Sequence, residues 1–93
     1  WRLEVTAVTG HSSGVFSAAL GSGAIYEAAR VLEGFHAELR KSPGLTANVG
    51  VIAGGAEVTE EMFGATGKGK TNIIPARAVA RGGPPRLAGR GRE

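Results

Sequence analysis

Few side chains in this sequence can do chemistry, and their types narrow it. The nucleophile and ligand set is short: two histidines, His11 and His36, and acids that are all glutamate, with no Asp and no Cys. Without Cys there is no disulfide framework, no thiolate zinc site and no guide to the redox compartment. Two histidines far apart, without Asp, do not build a catalytic metal site. A Ser-His-Asp triad is excluded. Glu57, Glu60 and Glu61 are close enough in sequence to suggest a hard-cation site, but three glutamates in a loop read as solvated charge. His36, among Ala37, Glu38 and Arg40, reads as part of a solvated helical face. His11 by itself reads as a turn histidine in solvent.

One motif matches a phosphate-binding loop in full: Gly64-Ala65-Thr66-Gly67-Lys68-Gly69-Lys70-Thr71. Such a loop needs a buried strand before it and a helix after it. Thr59 to Phe63 is no buried strand, and Pro75 would break the helix that should follow. A small nucleotide- or nucleic-acid-binding module, using this loop and the C-terminal arginines, is therefore the alternative reading and not the main one.

The elements that must position these residues follow from periodicity. Arg2 to Val8 alternates, with Leu3, Val5 and Ala7 on one face, and predicts a half-buried strand. Ile25, Ala28, Ala29, Leu32, Phe35 and Leu39 recur at three and four residues and predict a helix over 21–41, with Ser22 as N-cap and Pro43-Gly44 as its stop. Thr46 to Ala53 reads as a second strand closed by Gly54-Gly55. Residues 56–71 read as a polar, Gly-rich connection with Met62 and Phe63 as anchors. Asn72 to Arg81 reads as a third strand, with Pro75 at a start, edge or bulge. The order β-α-β-β is that of an α+β, ferredoxin-like sandwich truncated before its second helix and fourth strand.

The chain is 93 residues long, with 16 Gly and a net charge of +3. At this size roughly 60–65% of the unfolded surface is buried on folding, so the core is thin. No apolar run approaches a membrane span, the start does not resemble a signal peptide, and the absence of an initiator Met suggests an excised piece. The positive charge sits at the end: Arg77, Arg81, Arg86, Arg90 and Arg92 face only Glu93. Residues 83–93, rich in Arg, Gly and Pro, are expected to be a disordered tail outside the domain at 1–82.

Three segments read together are more specific. They are Thr6-Ala7-Val8-Thr9-Gly10-His11-Ser12-Ser13, Asn48-Val49-Gly50-Val51-Ile52-Ala53-Gly54-Gly55 and Gly69-Lys70-Thr71-Asn72-Ile73-Ile74-Pro75-Ala76. In this order and spacing they resemble the dimerisation (lid) domain of the co-catalytic zinc metallopeptidases. That superfamily includes glutamate carboxypeptidase, acetylornithine deacetylase, succinyl-diaminopimelate desuccinylase and aminoacylase. Gly10-His11-Ser12-Ser13-Gly14 and Ala24-Ile25-Tyr26-Glu27 are closest to the glutamate carboxypeptidase-like branch.

The resemblance implies a homodimer and a parent enzyme that hydrolyses an amide of a peptide or N-acyl amino acid. Its two zinc ions would lie in a separate catalytic domain, leaving this chain with no metal, no cofactor and no activity of its own. It implies no nucleic-acid or membrane partner. It also implies that His11 donates to the substrate carbonyl in the partner subunit's active site, and that Asn72 bonds the substrate's carboxylate or amide. The family's third strand continues as Ala-Arg-Gly-Asp-Leu-Arg, whose last Arg clamps a carboxylate; here Pro85 holds that position. One nucleotide inserted into codons for Gly-Asp-Leu-Arg-Val yields Gly-Gly-Pro-Pro-Arg, the residues at 82–86, so a frameshift accounts for the altered end.

Overall fold

The computed structural model describes residues 1–88. Strand β1 (Arg2–Thr6) is followed by helix α1 (Ala24–Leu39) and a two-residue strand β2 (Leu45–Thr46). Strand β3 (Val51–Gly55) then leads into a hairpin of β4 (Glu57–Glu60) and β5 (Ala65–Lys68). Strand β6 (Arg77–Arg81) and a short β7 (Arg86–Leu87) complete the chain. The main sheet is antiparallel in the order β1-β6-β3, so the last long strand inserts between the first two. One helix with antiparallel strands makes an α+β arrangement.

The alternation seen in the sequence decides which face meets what. Leu3 stands opposite Ala80 and Val5 opposite Ala78, and this face receives α1. The contact is made by small residues: Ala24, Ala28 and Ala78 form the buried cluster, with Val5 and Ala7 against it. A Cβ on Gly54 would come within 2.6 Å of Ile25 Cγ1, so glycine there lets the helix approach the sheet. The core is thin because its buried members are mostly alanines.

The helix begins later than the sequence predicts, and Ser22 is not its cap. Gly23 holds that position at φ 87°, and no side chain caps it. A Cβ at Gly23 would come within 2.7 Å of Ile74 Cγ2. The first helical amide, of Ala24, instead donates to the Pro75 carbonyl at 3.0 Å. Tertiary contact has replaced the local cap.

Three further boundaries differ from expectation. Leu45–Thr46 leaves the main sheet to pair with Arg86–Leu87, so the second long strand starts at Val51 and includes Gly54 and Gly55. Of the expected tail, residues 86–87 thus form a strand pair, while 89–93 lie outside the described residues. Regular pairing of the third strand is confined to Arg77–Arg81. Upstream of it, Pro75 has no N–H to offer a ladder.

The largest difference is the polar stretch at 56–71. It is not an irregular connection but the β4–β5 hairpin, with Glu57 opposite Lys68 and Glu60 opposite Ala65. Met62 and Phe63 do not anchor it; they sit at its tip, 79% and 93% exposed. The anchors are arginines on the sheet face opposite α1. Arg81 donates to the carbonyls of Glu61, Met62 and Gly64, and Arg77 to that of Val58 at 2.9 Å. Between them, Val79 is fully buried.

Candidate functional site

The site begins where β1 stops being regular. Ala7 N–H donates to the Ala76 carbonyl, continuing the β1–β6 register. Four residues later His11 pairs with Ile73. Val8, Thr9 and Gly10 therefore stand opposite only Ile74 and Pro75, which is a one-residue bulge. Two bonds stitch it: Ile74 N–H donates to the Gly10 carbonyl at 2.8 Å and Thr9 Oγ1 to the Ile74 carbonyl at 2.6 Å. Ser12 N–H then donates to the Asn72 carbonyl at 2.9 Å.

His11 and Asn72, 61 positions apart in the chain by their numbers, are thus brought to one end of the sheet on directly bonded backbone. Both are exposed. Asn72 lies in a tight turn closed by the Ile73 amide on the Lys70 carbonyl at 3.1 Å.

The His11 ring is oriented by the turn that follows it. His11 caps the short 3-10 helix Ser12–Gly14: its Nδ1 accepts the Ser13 backbone N–H at 3.0 Å, with Ser13 Oγ 2.9 Å away. A backbone amide can only donate, so Nδ1 is an acceptor and the ring proton of the neutral imidazole resides on Nε2. The outward nitrogen is therefore a hydrogen-bond donor. This cap is not legible in the sequence, because capping is sought from Ser, Thr, Asp or Asn and here a histidine performs it.

Other sequence candidates fall elsewhere. His36 is exposed on α1 beside Glu33, with 3.3 Å between Nδ1 and the carboxylate. The Gly64–Thr71 run forms β5 and the turn after it, and the next element is β6 instead of a helix. Its geometry is not that of a phosphate loop. Glu60 is not merely solvated: it accepts from Nε and Nη2 of Arg2, each at 2.7 Å, and lies 3.5 Å from Arg77, which also bonds Glu4 at 2.6 Å. Arg2 holds the Glu60 carboxyl below the ordinary glutamate range, and Arg77, then Arg2, do the same for Glu4. This ion-pair network ties the hairpin to the sheet.

Among the described residues, no three His, Cys, Asp or Glu side chains converge to hold a metal ion. The described residues do not fit a zinc centre. No helix among the described residues is long and apolar enough to cross a membrane.

Residues 1–82 match the family model of the peptidase dimerisation domain. The chain belongs to that family, the self-associating domain of the M20 peptidases. No curated protein and no solved structure matches it.

Proposed function

We propose that this chain is the pairing and substrate-contacting lid domain of a zinc-dependent, carboxypeptidase-like amide hydrolase of the glutamate carboxypeptidase-like branch. The parent enzyme carries its two zinc ions in another domain and acts on a peptide or N-acyl amino acid. The fold is read as a ferredoxin-like sandwich lacking its second helix and fourth strand; the strand order β1-β6-β3 with α1 on one face supports this.

The observation that carries the reading is the His11 ring. Its Nδ1 is occupied by the Ser13 amide, so Nε2–H is the donor, held on bonded backbone next to Asn72. A neutral imidazole donor aimed at a carbonyl oxygen stabilises the oxyanion that develops when the amide is attacked. Asn72 beside it offers amide hydrogen bonds to the same substrate. Both residues act in trans, on substrate held by the partner subunit's catalytic domain.

Mixing subunits tests this. One variant of the peptidase carries His11→Ala; the other carries an intact lid and a disabled catalytic domain. The first is strongly impaired and the second inactive alone, and mixed dimers regain activity above both if His11 works across the interface. No recovery in verified mixed dimers would refute action in trans.

A further inference from the structure

We infer that the tip of the β4–β5 hairpin docks into an apolar groove on a second copy of this chain, in a contact separate from any pairing of sheet edges. It goes beyond the role given to His11 and does not depend on it. The tip is held by a guanidinium. Arg81 donates to the carbonyls of Met62 at 2.7 Å and Gly64 at 2.8 Å, and also to that of Glu61. The Glu61 N–H closes the turn on the Gly64 carbonyl at 2.8 Å. Charge-assisted bonds of this kind fix the backbone of the turn. Its side chains add nothing to the core, for Met62 and Phe63 stand in solvent. The clamp thus presents two large apolar side chains in one geometry, which lowers the ordering cost of burying them in a partner.

A surface that suits the tip lies on the same chain. Trp1, Phe35, Leu39, Leu45 and Val49 line an apolar groove of about 690 Å³, with Arg40 among them. Trp1, Phe35, Leu39 and Val49 are all exposed there. The tip cannot fill the groove of its own chain. Arg81, which holds the tip, follows Ala80 in β6 and so faces away from α1, whereas Phe35 and Leu39 belong to α1. Both features still lie at the end of the sheet where β1 starts: Arg81 stands opposite Arg2, and Trp1 lines the groove. A two-fold axis in the plane of the sheet, crossing the strands at that end, exchanges the two faces. It carries each tip to the other copy's groove, so one pair makes the contact twice. Charge agrees with this. Glu61 in the tip and Arg40 at the groove are both exposed, and among the described residues neither enters an ion pair within the chain.

The test uses the full chain carrying Ile52→Lys, which disfavours pairing along β3 and lies in neither the tip nor the groove. Sedimentation should still find association in this chain. Phe63→Ser added to it should weaken that association by roughly tenfold or more, with far-UV circular dichroism unchanged. Glu61→Lys and Arg40→Glu should each weaken it, and the two together should restore it, because the reversed charges meet again across the pair. In a mixture of isotope-labelled and unlabelled copies, intermolecular NOEs should join Phe63 of one copy to Trp1 and Leu39 of the other. No association in the Ile52→Lys chain, association indifferent to Phe63→Ser, no rescue by the double reversal, or NOEs from tip to tip would each overturn the inference. All four outcomes leave the role of His11 untouched.

Discussion

The backbone amide of Ser13 donates to Nδ1 of His11 at 3.0 Å, so the turn itself selects the tautomer of the ring. The consequence can be measured on the isolated chain. Nitrogen-15 spectra of the His11 ring at neutral to mildly alkaline pH should show Nδ1 as the unprotonated, pyridine-like nitrogen and Nε2 as the protonated one. His36 should differ, because its Nδ1 faces the Glu33 carboxylate. A His11 ring protonated on Nδ1 would mean that the Ser13 contact is not made in solution.

Removing the ring should act on rate, not on metal. In the peptidase that carries this domain, His11→Ala should lower kcat by ~10²–10³ and leave zinc content unchanged. In the proposed role, the lost donor would contact a charge present only in the transition state. Wild-type kcat, or loss of zinc, would be inconsistent with an oxyanion role.

The β4–β5 hairpin should loosen in acid. Glu4 and Glu60 have carboxyls held below the ordinary glutamate value of 4.5 by Arg77 and Arg2. A depressed folded-state pKa adds stability above the unfolded value, and that stability is lost as pH falls through the folded one. Carboxyl carbon-13 titrations should therefore place both midpoints below 4.5, and protection of Thr59 and Thr66 amides should decline over the same range. Glu60→Gln should remove much of that pH dependence. Midpoints at or above 4.5 would show that the network is not formed in solution.

What was legible in the sequence is what local periodicity controls. The alternation of Leu3 and Val5, and the three-and-four spacing of Ile25, Ala28 and Leu32, mark β1 and α1 because each periodic set falls on one face of its element. The hairpin escaped because Val58 is the single large apolar residue in its two strands. It is held instead by Arg2, Arg77 and Arg81, whose partners lie 17 to 58 residues away in sequence. Ser22 failed as a cap because Pro75, remote in sequence, supplies the carbonyl that α1 needs. At the site, His11 and Asn72 were named by resemblance alone. The bulge that joins them depends on Pro75 meeting Val8 to Gly10, and no pattern within either segment encodes that meeting.

Self-association should run through the exposed side of α1 and the outer edge of β3, and two substitutions should separate pairing from folding. Phe35 and Ile52 are about half exposed, at 52% and 49%, although both belong to elements that pack together. Val49, just before β3, is 44% exposed. A two-fold contact uses one such patch twice. Among the described residues, β3 is paired in the three-stranded sheet only with β6, so its outer edge can accept a partner strand. The outer edge of β1 is equally open and offers a second, irregular mode of pairing. Sedimentation over a concentration series should therefore find weak dimers together with larger species. Phe35→Glu and Ile52→Lys place charge on the patch without touching the Ala24, Ala28 and Ala78 cluster. Each should shift the distribution toward monomer while far-UV circular dichroism stays unchanged. A tight monomer in the unsubstituted chain, or a dimer indifferent to both changes, would move the pairing surface away from α1 and β3.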